Sequence, residues 1–169
     1  MPKRVSIIHL PRAALHALAD GDLAAANAVS PVPLTPAFVG QEWRRVWAMR
    51  SRQVVADPPS QAWITGVIWD DERRVAVGRA GFHGPPDGNG MVEVGYAIDP
   101  DHRRQGYARA ALDALLARAA RESGVRVVRA SISPENTASL NLIAPFGFRH
   151  VGEQWDEDDG RELVFEVAV

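Results

Sequence analysis

Residues 93–109 read Glu-Val-Gly-Tyr-Ala-Ile-Asp-Pro-Asp-His-Arg-Arg-Gln-Gly-Tyr-Ala-Arg, an alternating strand followed by a basic turn that opens a helix. The first N–H groups of a helix have no internal acceptor, and the helix dipole places partial positive charge on them. Gly106 lets the main chain approach an anion closely, and Ala108 is also small. Planar cations with forked N–H groups surround this turn, namely Arg103, Arg104 and Arg109. The stretch therefore predicts a phosphate-binding site.

The helix and strand that follow this turn predict the central topology. Small and apolar residues recur at the spacing of one buried helical stripe, at Ala108, Ala111, Leu112, Leu115, Leu116 and Ala119. Ser123 and Gly124 end the helix, and residues 125–132 form a predicted strand rich in valine. A strand, a helix and a second strand in this order predict a parallel crossover. The phosphate site then lies at the carboxyl end of a parallel pair, where α/β sheets bind ligands.

The N-terminal part of the chain predicts a first strand, a helical region and an antiparallel meander. Strands are predicted over residues 5–10, 62–69, 74–82 and 91–98, two short helices within 13–28, an extended connector over 30–36 and a helix over 42–52. Trp43 and Trp47 share one face of that last helix. We interpret this pair as core packing, with one wall of a substrate cleft as the alternative.

The C-terminal part predicts a short helix over residues 137–144 and a final hairpin formed by residues 149–153 and 163–169. The acidic tract at residues 156–159 lies where this hairpin turns; we interpret it as a solvated turn, with attraction of a cationic amine as the alternative. The whole chain, residues 1–169, is predicted to be one α+β (mixed α/β) domain. Its sheet is mostly antiparallel, with about six or seven strands flanked by helices.

Composition narrows the classes of function. The chain has 19 Lys plus Arg and 21 Asp plus Glu, so its net charge of −2 gives no general attraction to nucleic acid or to an anionic membrane. It has no cysteine, which excludes disulfides, thiolate metal sites and a cysteine nucleophile. Its 5 histidines show no metal-ligand spacing, so we expect no metal and treat them as surface or packing residues. No apolar run approaches the ~20 residues of a membrane span or the core of a signal peptide, so we expect a cytoplasmic protein.

Two separated motifs agree with one family. Residues 103–108, Arg-Arg-Gln-Gly-Tyr-Ala, resemble the Arg/Gln-x-x-Gly-x-Gly/Ala pyrophosphate loop of the GNAT superfamily, the coenzyme A-dependent N-acetyltransferases. Residues 134–142, Pro-Glu-Asn-Thr-Ala-Ser-Leu-Asn-Leu, followed by Gly147 and Phe148, resemble the Asn-x-x-Ser helix and Gly-Phe ending of the same family. The Glu-Val-Gly-Tyr strand and the Glu-Asn-x-x-Ser helix are typical of the branch that contains the ribosomal-protein N-terminal acetyltransferases. The resemblance is strongest over residues 91–148.

The resemblance implies where acetyl-coenzyme A would bind. Its pyrophosphate would lie on the basic turn and its pantetheine beside the end of the strand at residues 91–98, in a gap between two diverging strands. A main-chain N–H near Ile98 would then bind the thioester oxygen. The implied coenzyme-binding residues are Ile98, Arg103, Arg104, Gly106, Tyr107, Ala108, Arg109 and Asn136.

Two side chains are candidates for catalysis. Glu93 is our candidate base for the protonated amine, directly or through a water, because strand alternation places it beside the small Gly95 and Ala97. An ordinary, partly exposed carboxylate is the alternative. The resemblance implies that Ser139 assists in protonating the leaving thiolate; capping or packing within its own helix is the alternative. Many family members instead carry a tyrosine four residues before the glycine of the Gly-Phe ending, where this chain has Ile143.

The sequence thus predicts an acetyl-coenzyme A-dependent N-acetyltransferase. It would move the acetyl group directly, in a ternary complex, to a primary amine of a small molecule, a peptide or a protein N terminus. A non-catalytic acyl-coenzyme A-binding or regulatory protein of the same fold is the alternative, motivated by Ile143. A generic nucleotide-binding module is disfavoured because the Gly-x-Gly-x-x-Gly and Gly-Lys-Ser/Thr patterns do not occur. The acceptor is not identified, and the oligomeric state stays open, a homodimer included.

Overall fold

A seven-stranded sheet forms the centre of the protein in a computed structural model that describes all 169 residues. The strands are β1 (Val5–Ile8), β2 (Gly66–Asp70), β3 (Val75–Phe82), β4 (Met91–Ile98), β5 (Val127–Ile132), β6 (Arg149–Asp156) and β7 (Gly160–Ala168). Their order in the sheet is β1-β2-β3-β4-β5-β7-β6, and only β4 and β5 are parallel neighbours. The predicted antiparallel meander, parallel crossover and α+β class are confirmed.

Five α-helices flank the sheet, at α1 (Arg12–Ala19), α2 (Leu23–Val29), α3 (Gln41–Ala56), α4 (Tyr107–Arg121) and α5 (Thr137–Ile143). The two short N-terminal helices are as predicted. Gly21 adopts a φ of 74° after the first helix, and the Asp22 carboxylate accepts the Ala25 N–H at 2.9 Å to begin the second. None of the helices has the length and apolar character needed to cross a membrane.

The two faces of the sheet bury two separate cores. On one face, α4 packs with Val92 and Val94 of β4 in a cluster of 16 buried residues. On the other face, α1 and α3 contribute to a cluster of 14 buried residues that includes Trp43 and Trp47. The ring centroids of these tryptophans lie 5.1 and 6.2 Å from that of Phe38, which confirms that the pair packs in the core.

Strands β4 and β5 are paired over only the first part of their length. The parallel register joins Met91, Val92 and Glu93 to residues 127–129, while β4 continues to Ile98 and β5 to Ile132. Beyond the paired part, β4 remains bonded to β3 and β5 remains bonded to β7. A wedge-shaped gap therefore opens between them, as the family resemblance implied.

Several element boundaries differ from the prediction. Helix α3 continues to Ala56, four residues beyond the predicted end, and β2 begins only at Gly66 because Pro58–Ala62 form a 3₁₀ turn. The final hairpin is longer than predicted, with only residues 157–159 between its strands. Polar cross-strand contacts stabilise the added pairs: Arg161 binds Glu153, and the Gln154 amide donates to Glu162 at 2.8 Å. Charged, solvent-facing residues hid this extension from a search for apolar alternation.

Candidate functional site

The turn before α4 presents a row of unbonded main-chain donors. Gly106 has a φ of 87° and precedes the helix without a side-chain cap, and Arg104 has a φ of 58°. A Cβ built on Gly106 meets only the Lys3 Cγ atom, at 3.9 Å, so the space above the turn is open. No hydrogen bond in the structure uses the main-chain N–H groups of six consecutive residues, Arg104, Gln105, Gly106, Tyr107, Ala108 and Arg109. Such a row is suited to the oxygens of a pyrophosphate.

Cations surround this row. The predicted Arg103, Arg104 and Arg109 are all exposed, and Arg103 donates from Nε to the Ile98 carbonyl at 3.2 Å. The structure adds Lys3, whose Nζ lies 5.0 Å from the centroid of the Tyr107 ring. Lys3 and Arg109 line a cavity of about 500 Å³ between the N-terminal segment and α4. Sequence reasoning missed Lys3, because only the fold brings the start of the chain to a turn a hundred residues later.

Tyr107 enters the site through its main chain only. Its side chain is 1% exposed, and its hydroxyl donates to the Asp70 carboxylate at the end of β2. Burial acts to raise the pKa of Asp70, but N–H donors of Arg73 and Glu72 and the Tyr107 hydroxyl outweigh burial and hold that pKa below its ordinary value. This buried bond fixes the first turn of α4 to the sheet. The predicted binding role of Tyr107 is therefore restricted to its N–H group.

The gap between β4 and β5 is lined by main-chain groups of β4. The His83 N–H donates to Glu93 and the Asp99 N–H donates to Val77, so the odd-numbered main-chain groups of β4 are bonded to β3. Alternation then directs the N–H groups of Tyr96 and Ile98 toward the gap. This places a main-chain donor where the sequence predicted one, at Ile98, with a second donor two residues earlier.

Glu93 faces the opposite side of β4 from α4, but its surroundings differ from the prediction. The structure places Gly95 and Ala97 on the same face, opposite Gly81 and Arg79 of β3. The space above Gly95 is filled by a ring, since a Cβ on Gly95 would lie 2.8 Å from the His83 Nε2 atom. The expectation that small neighbours leave room beside Glu93 is therefore wrong at Gly95.

His83 is a functional candidate that the sequence did not reveal. Its Nδ1 atom lies 3.7 Å from a Glu93 carboxylate oxygen, and the two side chains are 46% and 19% exposed. Partial burial lowers the pKa of His83; Glu93 opposes this effect, and Arg50 and Arg79 add to it. The imidazole is consequently neutral near pH 7 and able to accept a proton. His83 is a half-exposed residue that packs over Gly95, as predicted for a surface or packing residue, and it also contacts Glu93.

Glu162 is a second carboxylate at this end of the gap that sequence reasoning missed. It is 9% exposed, and burial raises its pKa, with Gln154 opposing and Asp156, Asp159 and Glu93 adding to the rise. In the sequence, nothing distinguishes Glu162 from the other charged residues of the final hairpin.

The acidic tract at residues 156–159 forms a turn. The Asp156 carboxylate accepts the main-chain N–H groups of residues 158 and 159, which supports the interpretation of the tract as a turn.

Helix α5 places Ser139 beside the other face of β4. The Asn136 side-chain oxygen accepts the Ser139 N–H at 3.1 Å, so Asn136 caps the helix and the capping alternative for Ser139 is wrong. Ile143 is 2% exposed and belongs to the core. The Tyr96 hydroxyl is buried and makes no hydrogen bond. Burial raises the pKa of Tyr96, while the neighbouring Ser139 side chain acts to lower it.

Comparison with known proteins agrees with this geometry. A family model described as an acetyltransferase (GNAT) domain matches residues 10–149, and the chain belongs to this family. It is 33% identical over 106 residues to L-2,4-diaminobutyric acid acetyltransferase of Streptomyces coelicolor, covering 62% of this chain and 59% of that one. It is 38% identical over 87 residues to the uncharacterized N-acetyltransferase YjdG of Bacillus subtilis, covering 52% and 50%. The chain thus spans about half the length of the curated relatives that it matches.

Solved structures show the same fold. RimJ of Mycobacterium smegmatis, in complex with CoA-disulfide, superposes with a TM-score of 0.66 at 20% identity and covers 100% of this chain and 86% of that one. A spermidine N-acetyltransferase chimera from Vibrio cholerae and human sequences gives a TM-score of 0.66 at 15% identity, covering 97% and 95%. The predicted family is confirmed.

The contact between His83 and Glu93 leads to a prediction about titration. We expect the imidazole of His83 to titrate below its ordinary value of about 6.5, and Glu93→Gln to lower that pKa further, because the carboxylate stabilises the imidazolium. NMR titration of the five histidines measures this. Asp156→Asn is the matched control, with a smaller shift in the same direction. An unchanged or higher pKa in Glu93→Gln would contradict the arrangement.

Proposed function

We propose that the protein transfers an acetyl group from acetyl-coenzyme A to the primary amine of a small molecule, directly and within a ternary complex. The observation that carries this proposal is the gap between β4 and β5. A row of unbonded N–H groups lies before α4 on one side of it, and the Glu93 and His83 pair lies on the other. Family membership and the names of the curated relatives support it, and they disfavour the alternative of a non-catalytic binding protein.

The residues around the gap fit the coenzyme. Main-chain donors from Arg104 to Arg109 would hold its pyrophosphate, with the arginine side chains and Lys3 around it. The N–H groups of Ile98 and Tyr96 would bind the thioester oxygen, and the free amide nitrogen of Asn136 would face the pantetheine. The coenzyme supplies an activated acetyl group, whose C–S bond breaks as a C–N bond forms. A protonated amine loses two protons on becoming an amide and the sulfur gains one, so one proton is released overall.

On the acceptor side, His83 and Glu93 act together as the base. A protonated amine cannot attack, so its proton must leave before or during transfer. The neutral His83 imidazole accepts that proton, and the Glu93 carboxylate stabilises the resulting imidazolium. Glu93 thus keeps a catalytic role, exerted through His83.

On the coenzyme side, Ser139 and Tyr96 provide the proton that the sulfur requires. The buried Tyr96 hydroxyl is held protonated by its raised pKa, and Ser139 is its polar neighbour. This pair takes the place of the tyrosine that many family members carry at the position of Ile143. The family position is occupied by the core residue Ile143, while Tyr96 of β4 lies beside Ser139 of the same helix.

Release of free thiol from acetyl-coenzyme A across a panel of primary amines tests the proposed function. We expect at least one amine to raise thiol release well above the rate of hydrolysis without acceptor, with the acetylated amine identified by mass spectrometry. Tight coenzyme binding combined with background release for every amine would instead favour the binding-protein alternative.

Replacement of Gly106 tests whether the row of unbonded main-chain N–H groups before α4 binds the coenzyme. Gly106→Val places a β-branched side chain at a φ of 87°, so we expect coenzyme A affinity, measured by calorimetry, to fall about tenfold or more. Gly160→Val is the matched control, because Gly160 has a φ of 76° in the final hairpin. That control bears the same backbone strain and leaves coenzyme affinity unchanged. Equal affinities in both variants would remove the turn from coenzyme binding.

Tyr96→Phe tests the proton source for the sulfur. We expect kcat to fall by about 10- to 100-fold with coenzyme affinity unchanged, because proton transfer to a leaving group contributes factors of this size. The variant keeps its thermal stability, since the lost hydroxyl makes no hydrogen bond. Ser139→Ala reduces kcat similarly, and the double variant is no worse than either single one. Effects that multiply, or an unchanged kcat in Tyr96→Phe, would contradict a shared proton path.

A further inference from the structure

Two arginines on the acceptor side of the sheet have no anionic partner. Arg50 of α3 is 6% exposed and donates to neutral groups only, the Thr65 hydroxyl, the Gln53 amide oxygen and the His83 carbonyl. The side chain of Arg79, on β3, makes no hydrogen bond, and its buried Nε atom has no partner. Its guanidinium lies 5.3 Å from the centroid of the Trp43 ring. Neither arginine takes part in any of the ion pairs of the protein.

Burial of these two guanidinium groups without a carboxylate costs free energy of folding. A buried guanidinium without a carboxylate loses hydration that neutral hydrogen bonds and a ring face replace only in part. Burial lowers the pKa of both arginines to about 10, and the charge of Arg50 adds to the lowering at Arg79. The charges that oppose these shifts come from Glu93 and Glu42, neither of which pairs with an arginine. A ligand carboxylate would offset this cost and would find a planar fork of free N–H groups on Arg79.

The position of these arginines relates them to the proposed chemistry. Arg79 lies opposite Ala97, on the face of β4 that carries Glu93, and Arg50 contacts the main chain of His83. At the other end of this face, the charges of Glu93 and Asp156 act on the carboxyl group of Glu162. The acceptor side is therefore positive toward Trp43 and negative toward the final hairpin. A molecule with a carboxylate at one end and an amine at the other matches this separation of charge.

We propose that Arg79 binds the carboxylate of the acceptor, with Arg50 adding charge behind it, so that the acceptor is an amino acid whose primary amine reaches Glu93 and His83. The proposal rests on the acetyl transfer proposed above and names its acceptor class. A polyamine has the amine but no carboxylate and leaves both arginines unpaired. The carboxylate is thus the group that separates acceptable from poor acceptors.

Pairs of acceptors that differ only by a carboxylate test this inference. The pairs are L-2,4-diaminobutyrate with 1,3-diaminopropane, L-ornithine with putrescine, and L-lysine with cadaverine. We expect kcat/KM to be at least about tenfold higher for the amino acid in the preferred pair. In Arg79→Gln that advantage falls about 10- to 100-fold, mainly through KM, as for the loss of a hydrogen bond to a charged group. In the same variant, kcat/KM for the diamine without a carboxylate and the affinity for coenzyme A change little.

Two further variants separate recognition from folding. Arg52→Gln is the control, because Arg52 is an exposed arginine of α3 whose side chain makes no hydrogen bond or ion pair. We expect this variant to keep the preference for the amino acid. Arg79→Lys keeps the charge but not the fork and recovers only part of the preference. Equal or better turnover of the polyamine in the wild type would overturn the inference while acetyl transfer stands. An unchanged preference in Arg79→Gln would overturn the assignment of the site.

A binding measurement keeps the inference testable if transfer itself fails. Calorimetry of L-ornithine and putrescine against the protein saturated with coenzyme A requires no turnover. We expect L-ornithine to bind at least about tenfold more tightly, and Arg79→Gln to remove the difference. Absence of turnover with this preference intact would count against the proposed function alone. Absence of the preference would count against the carboxylate site.

Discussion

Strands β4 and β5 diverge after a short paired stretch, and this divergence positions the groups on both sides of the candidate site. The two strands share only three paired positions, and afterwards each is bonded to its other neighbour. Main-chain donors of β4 at Tyr96 and Ile98 are thereby left facing a gap. Buried peptide groups without partners are costly, so a sheet that maintains such a gap maintains a place for an external acceptor.

Polar groups without partners occur on both sides of the gap. The turn before α4 leaves its donors free by adopting positive φ angles at Arg104 and Gly106, and only the non-glycine Arg104 is strained by this. The buried bond from Tyr107 to Asp70 holds that turn in place. On the acceptor side, Arg50 and Arg79 remain without counter-ions. The stability lost at these positions must be recovered from the two buried cores.

The sequence predicted those parts of the molecule whose signal is local. The alternation in β4, the apolar stripe of α4 and the glycine at the helix start each depend on a few neighbouring residues. His83, Arg79, Glu162 and Lys3 escaped because their roles arise from contacts between distant segments. Glu93 shows both cases: its face on the strand followed from alternation, but the ring beside it came from the preceding strand. The sequence did not predict the added part of the final hairpin, because polar and charged side chains pair across the strands there and apolar alternation is absent.

In the function proposed above, alternation along β4 would make this strand a partition between the two substrates. Odd-numbered side chains face the acceptor groups, whereas even-numbered side chains face α4 and α5. Under that proposal, changes in acceptor choice could accumulate at the odd-numbered positions without altering the main-chain donors that face the gap. An insertion of a single residue in this strand would instead exchange the two sets at once.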